Sequence, residues 1–500
     1  MTNFSKKFYT IFKMLKNSLL PILTVIYFLF FHYANNVSII KISSSGSIFL
    51  LMVGIGLIIF LLYCGVFRKK QYRASLAAFI FVIFFLTYGL VYDWLVSIDK
   101  ITIKHYSLLP LVILLGFFIS LLVNLLNQKP VSQIHNILLI VISCLIVYNL
   151  FRIVPIEIQK SRLDNRTQNE SSETVGNKTN SQNYPDIYYI ILDEAAGFDI
   201  IKEYFNYDRI NDFTTNLKTK GFYIAEESRT YSTNTYVVMA ERFNYMRYPG
   251  SEGELFYFEE IVNNRTMQYL KDKGYTIGVL NQMGGPLAYS YMPSFNADFS
   301  LEIDESMKAN LSNFSDGFVE LVTKPTMIRL FFERTAITRQ VFENHAAQIL
   351  YVMEKIGDLD DVESPRFVYV HLLLPHYPFM FAEDGSINEN KNYKNWSYYL
   401  GNYIFSMNVA EIMISNILDS AKNNNPPVII LQSDHGARNG GEKDPDHVTL
   451  SNYPDDYRHH IINAILLPNC EHAPLSQDMD PINTFPIIFN CLFEDNLPLE

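Results

Sequence analysis

Cysteine is scarce: four in 500 residues, and neither Cys64/Cys144 nor Cys470/Cys491 has the spacing of a zinc finger. A thiolate-ligated structural metal is therefore excluded. Cys64 and Cys144 fall in apolar runs, whereas Cys470 and Cys491 lie in the polar C-terminal part, where either a disulfide or two buried thiols is open. Positive charge is also short. Lys and Arg number 40 against 51 Asp and Glu, a net charge of -11, and no basic stripe marks the soluble part, which excludes nucleic acid as a partner. No internal repeat is present.

Long apolar runs, by contrast, are plentiful, and all lie in the first third. "SIFLLMVGIGLIIFLLYCGVF" and "SLAAFIFVIFFLTYGLVYDWL" each approach the roughly 20 residues a helix needs to cross a bilayer. About five spans are expected, near 19–34, 48–67, 75–96, 107–126 and 136–154. A soluble fold cannot hide so many all-round apolar helices, and the runs continue too far for a signal peptide. Lys6, Lys7, Lys13 and Lys16 precede the first span, "RKKQYR" follows the second and Lys129 the fourth. The opposite loops are poorer in Lys and Arg. The N-terminus is thus expected in the cytoplasm and, with an odd number of spans, the C-terminal part outside. The expected organisation is a helical membrane domain over 1–156, a polar linker over 157–184 and an extracytoplasmic domain over 185–500.

The exported part alternates short apolar, β-rich runs with helical periodicity, which predicts an α/β domain with a mostly parallel sheet. "DIYYIIL" (186–192), 275–280, "RFVYVHLLL" (366–374), "PVIILQ" (427–432) and "HIINAILLP" (460–468) read as strands. "RINDFTTNLKTKG" reads as a helix closed by Gly221. Ligands of such sheets bind beyond the carboxyl ends of the strands. There the chain places "DEAAG", "PHYPF" and "SDHG". Asp193, Glu194, Asp434 and His435 offer carboxylate oxygens and an imidazole, a donor set suited to Zn²⁺ or Mn²⁺. One ion is expected, with a second conceivable.

"PDIYYIILDEAAGFD", "FVYVHLLLPHYPF", "ILQSDHGAR", "INAILLP" and "INTFPIIFNCLF" together resemble the sulfatase-like branch of the alkaline phosphatase superfamily. Its membrane-anchored bacterial members include phosphoethanolamine and phosphoglycerol transferases and lipoteichoic acid synthases. The resemblance covers about 185–498 and implies a sulfatase-like α/β domain. It also implies a metal-bound hydroxyl nucleophile at a helix N-terminus, for which Thr235 in "SRTYSTNTYVVMAERFNYM" is the first candidate, also as a metal ligand, and Thr233 the next. Relatives carry a helix of small residues there; this chain has "YVVMAERF". His376 would contact the phosphate or protonate the leaving oxygen. His371 (alternatively a core histidine), Arg438 and His447 are candidate substrate contacts. No Cys or Ser stands in the C/S-x-P-x-R context of formylglycine sulfatases, so a phosphorus substrate is favoured.

The activity so implied is a metal-dependent transferase. It would move a phosphorylated alcohol from a membrane lipid donor to a cell-surface glycan or lipid through a phospho-threonine. A hydrolase ending on water and a degenerate, non-catalytic domain are the alternatives. A transporter is disfavoured, because the spans hold few ionisable groups.

Overall fold

The structure is a computed structural model that describes residues 3–38, 40, 46–68, 70–96, 98, 104–173, 184–281, 297–300, 317–333, 336–377, 379–388, 396–421, 425–438 and 453–500. It separates into two compact units.

The first unit is helical, with α1 (Asn3–Asn35), α2 (Gly46–Phe67), α3 (Gln71–Val96), α4 (His105–Leu121) and, up to Gln159, α5 (Gln128–Glu173). Among the described residues, four helical stretches are long and apolar enough to cross a membrane: Gly46–Phe67, Gln71–Val96, His105–Leu125 and Gln128–Arg162. The apolar part of α1, Leu19–Asn35, is shorter. Leu50, Leu62, Leu111 and Phe151 point outward and exposed from these helices, the surface expected where the solvent is lipid. Two details differ from the expected layout. Helix α5 runs on through the polar stretch to Glu173, and residues 317–333 group with this unit instead of the second. The regrouping has a visible cause. Met327 N donates to Phe85 O at 3.0 Å and Gly89 N to Pro325 O at 2.8 Å, and Arg329 pairs with Asp93 at 2.5 Å. A Cβ on Gly89 would lie 2.0 Å from Lys324 O, so only glycine admits the segment.

The second unit carries one mixed sheet. Before the sheet's second strand come β1 (Ile187–Leu192), α6 (Phe198–Glu203) and α7 (Ile210–Thr219); then follow β2 (Tyr223–Ile224), α8 (Thr235–Asn244), α9 (Glu254–Val262), α10 (Arg265–Asp272), β3 (Thr276–Asn281) and β4 (Phe299–Ser300). Gly317–Thr323 and Arg329–Glu333, α11 and α12, belong to the helical unit. Helix α13 (Ala336–Lys355), β5 (Arg366–Leu372), α14 (Tyr399–Ser420), β6 (Val428–Ser433), β7 (Asn463–Leu466) and α15 (Thr484–Leu492) complete the chain. The strand order is β2-β7-β6-β1-β5-β3-β4. The pairs β6–β1, β1–β5, β5–β3 and β3–β4 are parallel, and β7 pairs antiparallel with β6 and β2.

The central strands are buried on both faces, which is why their sequences are almost uninterrupted apolar runs. Tyr188, Ile190 and Leu192 pack into one core layer and Ile187, Tyr189 and Ile191 into the other. Register then positions the chemistry. Leu192 lies opposite Leu372 on one side and Ser433 on the other. The three strands end level, so the residues that follow them, Asp193 and Asp434, emerge side by side.

Candidate metal centre

At the carboxyl ends of β1, β5 and β6, the ligand atoms of Asp193, His371 and Asp434 all lie within 4.8 Å of one another, and all three residues are buried. Asp434 is the hub. Its Oδ1 accepts from Glu194 N at 2.9 Å and from His435 N at 2.7 Å, while its Oδ2 accepts from Thr235 Oγ1 at 2.7 Å. His435 Nε2 stands 3.3 Å from the same Oδ2. His435 Nδ1 is 2.8 Å from Gly436 O. A carbonyl only accepts, so the proton sits on Nδ1 and the Nε2 lone pair faces the cluster.

Whether a cation fits is answered by the atoms left over. Asp193 Oδ1, His371 Nε2 and His435 Nε2 are buried and have no hydrogen-bond partner. Orphaned buried polar atoms are costly and rare, and three of them converge here beside a second carboxylate. Two carboxylates, two imidazoles and a hydroxyl form a donor set for a divalent cation. Asp193 also shows the electrostatics. Burial works to raise its pKa, but His376, His371 and His435, when they carry charge, outweigh it and hold the carboxyl below the usual range.

Thr235 is the first residue of α8, whose N-cap Asn234 accepts from Tyr236 N. Its oxygen therefore sits where the helix dipole favours negative charge. Helix α8 is tied to β6 by a side chain that sequence reasoning missed. Arg242, 1% exposed, donates to Ser433 O and Asp434 O, each at 2.9 Å, and to Gln432 Oε1 at 3.3 Å. This gives the unusual "YVVMAERF" a physical purpose.

Glu194, expected among the ligands, is not in the group of Asp193, His371 and Asp434 whose ligand atoms lie within 4.8 Å of one another. Its φ is 64°, a left-handed conformation that costs a non-glycine residue on the order of 1–2 kcal/mol. The turn is held because Glu194 N binds Asp434 and Tyr399 Oη donates to Glu194 O at 2.8 Å. The side chain then faces a different group. Oε1 accepts from Arg438 N at 2.8 Å, and Oε2 lies 3.6 Å from His376 Nε2. Arg438 Nη2 is 3.1 Å from His376 Nε2, and His376 Nδ1 is 2.5 Å from Tyr377 O. His376 thus holds its proton on Nδ1 and accepts from the guanidinium. His371, expected to touch substrate or to fill the core, joins the ligand group instead, with Nδ1 2.7 Å from Tyr369 Oη. Its place in an apolar strand gave no sign of this except its nearness to the strand end. Thr233 is not among the residues that meet here, and His447 lies outside the described residues.

No family model matches the chain, and no curated protein does. Solved structures do resemble it. The C-terminal periplasmic domain of EcEptC from Escherichia coli, in complex with Zn, is 13% identical with a TM-score of 0.39, over 63% of this chain and 84% of that one. The integral membrane lipooligosaccharide phosphoethanolamine transferase A (EptA) from Neisseria meningitidis is 10% identical with a TM-score of 0.38, over 95% of each chain. The putative sulfatase yidJ from Bacteroides fragilis is 13% identical with a TM-score of 0.37, over 64% of this chain and 81% of that one.

Proposed function

We propose that this chain is a membrane-bound, metal-dependent phosphotransferase acting outside the cytoplasmic membrane through a covalent phospho-threonine at Thr235. The observation that carries the reading is the Thr235 hydroxyl at a helix N-terminus, 2.7 Å from a carboxylate in a cluster with three buried, unpartnered ligand atoms. Asp193, His371, Asp434, His435 and Thr235 would hold the ion. Zn²⁺ or Mn²⁺ suits these donors, and when bound it lowers the hydroxyl pKa and takes up charge on the phosphoryl group.

In the first half-reaction Thr235 Oγ1 attacks phosphorus, its proton passes to Asp434 Oδ2, and the bond from phosphorus to the donor alcohol breaks. The leaving oxygen takes its proton from His376, which for this step must carry a second proton on Nε2 in place of the bond from Arg438, with Glu194 as the nearby anion. In the second half-reaction an acceptor hydroxyl returns a proton to His376 and attacks the phospho-threonine, and Thr235 recovers its own from Asp434. Arg438 would grip a non-bridging oxygen. Helices able to cross a membrane keep the enzyme where a lipid donor is found; an enzyme for soluble esters needs only secretion. The Cys470–Cys491 disulfide supports an oxidising compartment. The acceptor is then a surface glycan or lipid.

The test is intact-mass analysis of the full chain after incubation with a divalent metal and membrane phospholipids. Wild type should gain a phosphorylated-alcohol adduct, discharged when a glycan acceptor is added, and Thr235→Ala should gain none. Equal adduct on both would refute the assignment of the nucleophile.

A further inference from the structure

One short segment touches three of the loops around the candidate site. Residues 458–462 run between the exits of β1 and β6 and the loop that leads into Thr235. On the β1 side, Gly197 N donates to His460 O at 3.1 Å, and Ala196 bridges Ile461. On the β6 side, Gly436 N donates to Arg458 O at 2.8 Å and Ser433 N to Ile462 O at 3.0 Å. On the nucleophile side, Thr230 N donates to His459 O at 2.9 Å, and His459 Nδ1 to Thr230 O at 2.8 Å. Ile461 N also reaches Ser228 O at 3.3 Å. The segment passes so close that a Cβ on Gly436 would lie 2.6 Å from both His460 O and Tyr457 O.

The side chain at its centre is a histidine between two carboxylates. His460 Nδ1 is 2.5 Å from Asp199 Oδ2 on α6, and its Nε2 is 3.4 Å from Asp456 Oδ2. Asp456 in turn receives Arg229 Nη1 at 2.9 Å, from the loop leading to Thr235. We infer that this strap, locked by His460 between Asp199 and Asp456, fixes the nucleophile loop against the metal-ligand loops, so that His460 is a positioning residue for the transfer. The inference rests on the Thr235 reading above.

An imidazole with an acceptor at each nitrogen satisfies both only when doubly protonated. The hydrogen bond to Asp199 raises the His460 pKa above its ordinary value, against burial, which lowers it. The other groups facing it are Arg229, which opposes protonation, the Tyr457 ring at 5.7 Å, and Glu227, Asp478 and Asp480. Those three acids share with His460 a cavity of about 410 Å³. Because the folded pKa is raised, the lock is complete below the unfolded value near 6.5 and is lost as pH rises through the folded value.

The test uses the full chain in detergent, loaded with Zn²⁺, and follows release of 4-nitrophenol from bis(4-nitrophenyl) phosphate across about pH 5.5–9. Wild type should show a kcat that falls as pH rises. His460→Gln should lower kcat about 10²-fold, the scale of a small misplacement of reacting groups, with KM and metal stoichiometry kept and the falling limb abolished. His460→Lys, which restores a cation between the carboxylates, should recover part of kcat and move the limb upward. Should His460→Gln not fold, Asp456→Asn decides the matter, because losing that carboxylate should move the limb to lower pH. Variants that lower Tm while leaving the limb and kcat in place would make His460 merely structural and overturn the inference. If wild type neither holds metal nor turns over the probe, the proposed function falls first, and His460's role with it.

Discussion

Replacing Arg242 with methionine isolates what holds the nucleophile helix to the metal-ligand strand. The guanidinium makes two charge-assisted bonds of 2.9 Å to the carbonyls of Ser433 and Asp434, and a weaker one of 3.3 Å to Gln432. Each strong bond contributes roughly 1.5–3 kcal/mol. Methionine restores the packing of the stem but leaves both carbonyls buried without that donor, for a net loss of about 3–5 kcal/mol. At roughly 2–4 °C per kcal/mol for a unit of this size, the thermal transition of the α/β unit should drop by about 10 °C. Near-UV circular dichroism of the full chain in detergent, in its metal-free form, measures this, because the many aromatic contacts lie around the same helix. Arg242→Lys should recover at most one of the bonds and so fall between the two. A Met variant within about 2 °C of wild type would show that Arg242 is not what ties α8 to β6.

Two further outcomes are expected. In Gly436→Ala the added methyl meets two backbone oxygens at 2.6 Å; neither can rotate away. The strap must move at a cost of about 1–3 kcal/mol, and turnover of the same aryl phosphodiester should fall more than about tenfold, as read by rate and Tm together. Ser476→Cys places a thiol at an exposed position of the second unit. A membrane-impermeant maleimide should label it in intact cells, whereas labelling only after lysis would reverse the orientation read from Lys and Arg.

The strands were legible because burial on both faces leaves a composition no other element shares. "DIYYIIL" and "PVIILQ" fall within a residue of Ile187–Leu192 and Val428–Ser433. The last strand, expected from 460, begins at Asn463, because His460 and its neighbours belong to the strap. That the carboxylates after β1 and β6 would meet was also legible, since strands adjacent in a parallel sheet end at one rim. Which carboxylate after β1 faces the cluster was not. Asp193 and Glu194 are adjacent and chemically alike, and the choice is made by a left-handed turn stabilised by Tyr399, which lies 205 positions on. His371 was hidden for the opposite reason, since it occupies an inward position of an apolar strand where a core histidine would look the same. Arg242 and the strap act through backbone carbonyls, which accept from any donor and so leave no pattern in the sequence. The grouping of residues 317–333 with the helical unit rests on the Arg329–Asp93 pair and the space above Gly89, both long-range and invisible to periodicity.

The phosphotransferase proposal requires the rim of the sheet to be a metal centre built around Asp434. Metal analysis of the full chain, purified in detergent and dialysed against trace Zn²⁺, tests it most directly. Wild type should retain at least one ion per chain, Thr235→Ala should retain it more weakly, and Asp434→Asn, with the hub carboxylate neutralised, should retain none. Stoichiometric zinc in Asp434→Asn, or none in wild type, would contradict the account.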